Sequence, residues 1–344
     1  MKRYRVLLMV HETLVPPADI TGLGENEIDK FRTEHNVLTA LVNLGHDARA
    51  IGIGDRLTEL RRSIRDFKPH IVFNLLNEFS GIDSYDHYVV AYLELERQPY
   101  TGCNPRGMMI SRDKVLTKQV LAGHRIATPA FRLFPFGRRF REPKRFRFPL
   151  FVKSATEDAS LGISQASVVD SMQALRDRVE FIHEHVQTDA LVEEYIDGRE
   201  LYVGVVGNSR LTTFPVWEMN FGSLTRVQAR IATRAAKWDR KYQKRHGIVS
   251  HEAKDLSSEQ RRQLGHLTKR IFRGLHMSGF ARMDLRMRDD GKVFLLEANA
   301  NPDLTYGEDF AESAAVAGLD YDHLIKRIVN IGLAYRPEWR MFEP

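Results

Sequence analysis

Hydrophobic positions in the first hundred residues follow two alternating patterns. Strand-like segments, mostly short apolar runs, lie at residues 6–10, 47–53, 70–76 and 99–102. Between them, apolar residues recur at helical spacing over residues 27–44, 57–67 and 85–95. Strands that alternate with helices predict a Rossmann-like parallel α/β domain, with helices on both faces of the sheet.

The pattern changes after residue 112. A basic helix at 113–122 and a helix at 171–185 are predicted among strands at 130–134, 149–153 and 190–195. A mostly antiparallel region then covers residues 199–301, interrupted by a polar loop at about 230–255 and a long amphipathic helix at 257–277. A helix over 321–335 closes the chain. We therefore expect an α/β domain (1–112) followed by two α+β subdomains (113–190 and 191–344).

Composition excludes several classes of protein. The 344 residues are 43% hydrophobic and 28% charged, as in ordinary globular proteins, and no run approaches the roughly 18–20 apolar residues of a membrane span. The basic start leads into an apolar strand rather than a signal peptide. Cys103 is the single cysteine, so no intramolecular disulfide and no cysteine zinc site is expected. A cytoplasmic location fits this composition.

The formal net charge of +6 is concentrated in a basic, aromatic-rich segment at residues 138–147. Such a segment can contact nucleic acid. Here it joins two predicted strands, so we interpret it as a solvated connection that could also face an anionic substrate. Neither a nucleic-acid partner nor a membrane is expected.

The strongest local signal is a predicted hairpin around Asp290-Gly291, a dipeptide typical of two-residue type I′ turns. With that loop, Asp284 lies opposite Glu297 and Arg282 opposite Asn299. Because side chains alternate between the faces of a strand, all four share one face. The other face would hold residues 281, 283, 285, 287, 294, 296 and 298, which form a core surface.

Two carboxylates, a carboxamide and a guanidinium on one buried face permit two interpretations. They could form a salt-bridge cluster, although buried charge clusters seldom stabilise a fold unless they are well paired. Oxygen ligands with open positions instead suit Mg²⁺, which keeps waters and binds phosphate oxygens. In a two-metal arrangement Glu297 could bridge, with Asp284 on one ion and Asn299 on the other.

Several motifs occur in an order that resembles the ATP-grasp superfamily, and D-alanine–D-alanine ligases in particular. Residues 282–284 (RMD) and 296–302 (LEANANP) resemble its metal-binding signature. Residues 100–102 (YTG), 113–114 (DK), 151–163 and 191–200 resemble its other nucleotide-binding segments. The chain contains neither a P-loop motif nor a G-x-G-x-x-G turn. The resemblance implies an ATP-grasp fold behind an N-terminal α/β domain.

The resemblance also implies roles in ATP binding. Lys114 and Lys153 would neutralise the α- and β-phosphates, and Ser160 with nearby N–H groups would cover them. The main-chain carbonyl of Glu193 would accept from the adenine amino group. The backbone of Ile196 would pair with the ring, and Glu200 would hold the ribose hydroxyls.

The polar loop would act as a lid that closes over ATP and excludes water. It would supply a lysine to the γ-phosphate; both Lys237 and Lys241 resemble the family element, and we favour Lys237. The implied cofactors are ATP and two Mg²⁺ ions, for which Mn²⁺ is a possible substitute. A carboxylate would attack the γ-phosphate, and an amine would then attack the acyl-phosphate while Arg282 stabilises the oxyanion.

The substrate pockets depart from those of D-alanine–D-alanine ligases. Their N-terminal glycine-rich segment is absent, and Glu308 stands where they have a serine that binds the acceptor carboxylate. A carboxylate there would repel such an acceptor, so an acceptor with an amine or guanidinium near Glu308 is expected. Three functions are open: an amide-forming ligase for other small-molecule acids and amines, a D-alanine–D-alanine ligase proper, or a non-catalytic ATP-binding regulator. The resemblance also implies a possible homodimer.

Overall fold

The three-dimensional structure is a computed structural model that describes residues 2–142, 147–157, 163–224 and 230–341. The described chain contains strands β1 (Arg5–His11), β2 (Asp47–Ile53), β3 (Ile71–Asn74), β4 (Phe131–Phe134), β5 (Leu150–Ser154), β6 (Val168–Val169), β7 (Ala190–Glu194), β8 (Arg199–Val206), β9 (Thr212–Thr213), β10 (Trp217–Asn220), β11 (Val249–Glu252), β12 (Phe280–Met287) and β13 (Val293–Asn299).

Its α-helices are α1 (Glu25–Ile28), α2 (Arg32–Asn43), α3 (Thr58–Phe67), α4 (Asp86–Leu95), α5 (Pro105–Arg112), α6 (Lys114–Gly123), α7 (Met172–Phe181), α8 (Arg234–Trp238), α9 (Arg240–His246), α10 (Ser258–Gly274), α11 (Asp309–Val316) and α12 (Tyr321–Ala334). Within the described ranges, none of these helices has the length and apolar character needed to cross a membrane.

The N-terminal sheet is parallel, with strand order β2-β1-β3, which confirms the predicted α/β arrangement. Alternation along β1 explains its two packed faces. Val6 and Leu8 contact a core built with α2 and α12, whereas Leu7 and Met9 contact one built with α3 and α4. Tyr100 pairs with Val72 beside β3, as expected for the short extended segment at 99–102.

Two further sheets form the rest of the fold. The smaller one is antiparallel, in the order β4-β7-β5-β6, and packs against α7. The larger one follows the order β11-β10-β8-β12-β13, with β9 beside β8. Helix α10 covers this sheet, and a capping box between Ser257 and Gln260 begins it. The central strands β8 and β12 are almost completely buried.

Three local predictions require correction. The helix expected at 27–44 is interrupted, because a 3₁₀ turn ends at Phe31, whose φ of −127° and ψ of 25° are not helical. The polar loop at 230–255 contains α8, α9 and β11, which are too short to show a clear period. Helices α5 and α11 were not predicted. Part of the basic segment, residues 143–146, lies outside the described residues.

Candidate active site

The hairpin of β12 and β13 brings the predicted site residues together. Its register pairs Arg282 with Asn299 and Asp284 with Glu297, as the sequence predicted. Strand β8 lies on the other side of β12, so this part of the hairpin is inside the large sheet. The Asp284 residue is only 3% exposed. The four polar side chains are therefore held on a rigid, largely buried framework.

The predicted turn is nevertheless wrong. The N–H of Arg288 donates to the Lys292 carbonyl (3.0 Å), and Gly291 adopts a φ of +79°, so the loop has three residues rather than two. The longer loop shifts the pairing by one position, and Met287 pairs with Val293. A bulge at Leu296 then restores the register before Glu297.

The longer loop and the bulge also change which of two neighbouring leucines faces the core. Leu295 pairs with Leu285 and lies in the core, whereas the predicted core residue Leu296 lines the neighbouring cleft. The sequence could not reveal this, because the extra loop residue reverses the faces of residues 293–295 and the bulge restores the predicted faces from Glu297 onwards. The bulge thus directs Leu296 and Glu297 towards the cleft.

Asp284 is surrounded by donors. Arg282 donates to both carboxylate oxygens from Nε (2.8 Å) and Nη2 (3.0 Å), and Asn299 Nδ2 lies 3.4 Å from Oδ2. Lys237 Nζ lies 3.7 Å from the same oxygen. Burial alone would lower the pKa of Arg282, but the Asp284 carboxylate outweighs this effect and raises it. The Arg282 guanidinium therefore stays charged beside the carboxylate.

Glu297 lies among three lysines. Lys114 Nζ contacts its carboxylate at 3.0 Å and also donates to the Glu157 carbonyl (2.7 Å). Burial would raise the pKa of Glu297, but the ammonium groups of Lys114, Lys153 and Lys237 together lower it well below its usual range. The predicted phosphate-binding lysines thus converge on the carboxylate predicted to bridge the metals.

The motif Asp113-Lys114 has a simple local explanation. Asp113 is the N-cap of α6, and its side chain accepts from the N–H groups of Val115 and Leu116 at 2.9 Å each. This cap fixes the start of the helix and therefore the position of Lys114. Asp113 organises the site without facing the cleft.

A fourth lysine, Lys118, was missed by the sequence interpretation. It lies one helical turn after Lys114, and its Nζ is 2.8 Å from the Glu193 carboxylate, which Lys153 contacts at 3.2 Å. Burial lowers the pKa of Lys118, and this effect outweighs the Glu193 carboxylate, which acts to raise it. For Glu193, burial would raise the pKa, yet Lys118 and Lys153 outweigh it and the pKa is lowered. The i, i+4 spacing was the signal that could have identified Lys118.

The pairing of Glu193 argues against its predicted main-chain role. The Tyr195 N–H donates to the Pro149 carbonyl, and alternation in an antiparallel ladder turns the main-chain groups of Glu193 to the same side, towards Phe151. The carbonyl is therefore in the sheet rather than open to adenine. Ile196, whose backbone was predicted to pair with the adenine ring, does line the cleft.

Glu200 is paired with Arg286, a second residue that the sequence interpretation missed. Arg286 Nη2 contacts the Glu200 carboxylate, and its Nη1 donates to the Gly198 carbonyl (3.1 Å). The hydroxyl of Tyr202 also donates to Glu200 (3.2 Å). Alternation along β12 places residue 286 on the face of residues 282 and 284, so the signal was present. The ribose contact of Glu200 stays a prediction.

The remaining predicted residues have distinct outcomes. The structure brings Lys237 on α8 to the hairpin, whereas Lys241 on α9 is exposed. Glu308 precedes α11 and lines the mouth of a second cavity. Ser160 lies outside the described residues.

The donor set suits a hard divalent cation bound together with phosphate. Among the residues that the structure describes, no group of three or more His, Cys, Asp or Glu side chains is assembled as a complete metal cage. Asp284, Glu297 and Asn299 supply oxygen donors from one face, and lysines flank them. Mg²⁺ commonly uses one or two carboxylates plus waters and substrate phosphates, so these residues fit it.

Two cavities meet at this hairpin. The first lies between the two antiparallel sheets and is lined by Lys114, Lys153, Ile196 and Asp284. The second is about 470 Å³ and is lined by Arg282, Asn299 and Glu308. Lys237 and Glu297 line both. A group in one cavity can therefore react with a group in the other beside these two side chains.

Comparisons with known proteins agree with this geometry. Residues 136–330 match the family described as "D-ala D-ala ligase C-terminus". An uncharacterised protein, y4sG, of Sinorhizobium fredii is 31% identical over 310 residues, which cover 87% of each chain. A D-alanine–D-alanine ligase of Francisella philomiragia is 25% identical over 86% of this chain and 90% of its own.

Solved structures show the same fold. A D-alanine–D-alanine ligase from Bacillus anthracis, complexed with ATP, superposes with a TM-score of 0.73 over 96% of this chain and 98% of its own, at 18% identity. The VanG D-Ala:D-Ser ligase from Enterococcus faecalis superposes with a TM-score of 0.69 over 96% of this chain and 100% of its own, also at 18% identity.

Fold and site together define an ATP-grasp enzyme. More narrowly, the chain belongs to the D-alanine–D-alanine ligase family, whose members are ATP-dependent ligases that form amide bonds and release ADP.

Proposed function

We propose that this protein joins a small-molecule carboxylate to an amine through an acyl-phosphate, using ATP and Mg²⁺. The observation that carries the proposal is the meeting of the two cavities at Lys237 and Glu297. ATP in the first cavity would present its γ-phosphate to a carboxylate in the second. Bound Mg²⁺ would neutralise phosphate charge, and Asp284, Glu297 and Asn299 would hold it. We also propose that two ions bind, and that Mn²⁺ can replace Mg²⁺.

In the first step, a substrate carboxylate oxygen attacks the γ-phosphorus and ADP leaves. Lys114 and Lys153 hold the phosphates as point charges, and Lys237 neutralises the group in transfer. Ser160 would cover the phosphates. The segment that contains Ile196 and Glu200 would bind adenine and ribose.

In the second step, the nitrogen of a neutral amine attacks the acyl carbon, phosphate leaves, and the nitrogen loses a proton. Negative charge develops on the carbonyl oxygen, and the Arg282 guanidinium lines the cavity where this occurs. Asp284 holds Arg282 through two hydrogen bonds, so the guanidinium is oriented in advance.

An ADP-release screen with pairs of small acids and amines tests this function. We expect release that requires both substrates, and a loss of at least about 100-fold on Glu297→Ala, in the range found when a key charged group is removed. Glu312→Gln, on α11 and outside both cavities, is the matched control and should retain activity. ADP release with D-alanine alone would instead support a D-alanine–D-alanine ligase.

If ATP binds but no acid and amine pair is turned over, the ligase proposal is contradicted and a nucleotide-binding regulator is supported. A cytoplasmic location and a homodimer stay predictions.

A further inference from the structure

Some of the charged side chains that line the second cavity form ion pairs, and others do not. Its arginines are paired: Arg32 with Asp29, Arg112 with Asp86, and Arg282 with Asp284. A separate group of carboxylates, Glu34, Asp303 and Glu308, lines the same cavity. Within the described ranges, none of these three carboxylates forms an ion pair with a lysine, arginine or histidine. We call these three residues the acidic wall.

Asp303 is held in a fixed position. Its Oδ1 accepts from the Thr305 N–H (2.8 Å), the Thr305 hydroxyl (2.6 Å) and the Thr33 hydroxyl (3.2 Å). Thr33 is on α2, next to Glu34, and Thr305 is in the loop after β13. These bonds join the two elements and bring the Asp303 and Glu34 carboxylates together in the cavity.

Glu34 is the most informative member of the acidic wall. It is only 6% exposed, it lines the cavity, and within the described chain no neighbouring side chain forms a hydrogen bond or an ion pair with its carboxylate. Burial, and secondarily the neighbouring Asp303, raises the pKa of Glu34 to about 7. A buried carboxyl without a partner is costly in a core, and here it faces space large enough for a ligand.

Glu308 completes the wall at the mouth of the cavity. Its side chain is more exposed than that of Glu34, and it does not cap the helix that follows it. Partial burial, Asp303 and Asp309 raise its pKa, whereas Arg240 and Arg32 act in the opposite direction. Although these arginines lie near Glu308, no described lysine, arginine or histidine contacts the acidic wall in an ion pair, and a cationic ligand could fill that place.

We infer that the amine substrate carries a second, cationic nitrogen, an ammonium or guanidinium, which binds between Glu34, Asp303 and Glu308. This inference rests on the proposed ligase function and specifies its acceptor. The nitrogen that attacks the acyl-phosphate must be neutral, and nearby carboxylates would favour its protonated form. The bound cation is therefore a different group from the reacting amine, as in a basic amino acid or a diamine.

The test compares cationic acceptors with neutral counterparts of similar shape: lysine with norleucine, arginine with citrulline, and a diamine with the matching monoamine. Turnover is measured by ADP release with each acid that supports it. We expect the wild-type protein to prefer the cationic member by about tenfold or more in kcat/KM. The amino-acid and diamine arms show whether the acceptor also needs a carboxylate.

Glu34→Gln and Glu308→Ser should raise KM for cationic acceptors about tenfold while changing kcat less, and should leave neutral acceptors unaffected or improved. Glu312→Gln is again the control. Equal use of lysine and norleucine would overturn the inference. So would a Glu34→Gln variant that lowers kcat for both acceptors at unchanged KM, because that result indicates a role in proton transfer or folding.

Calorimetry with the same compounds, in the presence of Mg²⁺ and a non-hydrolysable ATP analogue, separates the two proposals. Cation-selective binding that Glu34→Gln abolishes, without turnover of any pair, would support the acidic wall and contradict the ligase. Turnover without cation selectivity would contradict the acidic wall alone. Absence of both selective binding and turnover would overturn both.

Discussion

Glu193 is a nearly fully buried carboxylate that contacts two lysines at once, Lys118 Nζ at 2.8 Å and Lys153 Nζ at 3.2 Å. Both lysines are also buried. The structure therefore places a charge cluster beside the first cavity, which Glu193 and Lys153 line, and each member of the cluster depends on the others. Buried charge of this kind is strongly destabilising once a partner is removed.

Removing the shared carboxylate should expose this dependence. Glu193→Gln leaves two buried ammonium groups without the carboxylate that contacts them, and we expect a loss of about 3–5 kcal/mol in the free energy of unfolding. Urea denaturation measures it. The exposed neighbour provides the matched control, and Glu194→Gln should change stability by less than about 0.5 kcal/mol. Equal effects of the two variants would show that the buried cluster carries no special stability.

Gly198 should tolerate no side chain. Its φ is +143°, and a Cβ there would lie 2.1 Å from the carbonyl oxygen of Met287. We expect Gly198→Ala to destabilise the protein by about 2–3 kcal/mol and to weaken ATP binding, because the Arg286 contact to this segment would shift.

Gly291→Ala is the control for backbone strain without a clash, since Gly291 has a φ of +79° and no described atom lies within 4 Å of the added Cβ. It should cost only about 1 kcal/mol by thermal or urea denaturation. A Gly198→Ala variant as stable as Gly291→Ala would contradict the predicted contact with Met287.

The raised pKa of Glu34 should make the stability of the protein decrease as pH rises. The pKa of Glu34 is raised to about 7 in the folded protein, mainly by burial and secondly by Asp303, and Tyr321 is a further titratable group near it. Stability linked to this group is therefore present below the unfolded pKa of about 4.5 and is lost as pH rises through about 7.

Glu34→Gln mimics the protonated form, so it should stabilise the protein at pH 8, by up to about 3 kcal/mol, and have little effect at pH 5. Urea denaturation at the two pH values measures the difference, and Glu312→Gln should show no comparable change with pH. Destabilisation by Glu34→Gln at both pH values would mean that Glu34 contributes to the core rather than to a ligand site.

The two lid lysines should differ sharply. Lys237 contacts Asp284 and lines both cavities, whereas Lys241 is exposed on the next helix. We expect Lys237→Met to lower kcat by about 100- to 1,000-fold with a smaller change in KM for ATP, and Lys241→Met to have less than about a threefold effect. The reverse ranking in steady-state kinetics would assign the γ-phosphate role to Lys241.

Sequence patterning predicted the hairpin site well, partly because two deviations from the predicted hairpin cancel each other. The two-residue turn assumed for Asp290-Gly291 is a three-residue loop, and the bulge at Leu296 cancels the resulting shift. The pairings of Asp284 and Arg282 were therefore correct, whereas the positions of Leu295 and Leu296 were not. A bulge depends on packing against neighbouring strands and has no clear local signal.

Other residues were missed for different reasons. Lys118 and Arg286 share a face with predicted site residues, so periodicity could have identified them. Glu34 could not be identified in this way, because only the fold brings α2 beside the loop after β13. The short helices α8 and α9 within the predicted polar loop span too few turns for a hydrophobic period to be read.

The formation of an acyl-phosphate is tested most directly by isotope transfer. The acid found in the ADP-release screen is labelled with ¹⁸O in its carboxylate and turned over with ATP, Mg²⁺ and the amine, and the released phosphate is analysed by mass spectrometry. Because the carboxylate oxygen that attacks phosphorus leaves with the phosphate, one ¹⁸O atom should appear in each phosphate. Unlabelled phosphate, formed together with the amide, would contradict the acyl-phosphate mechanism.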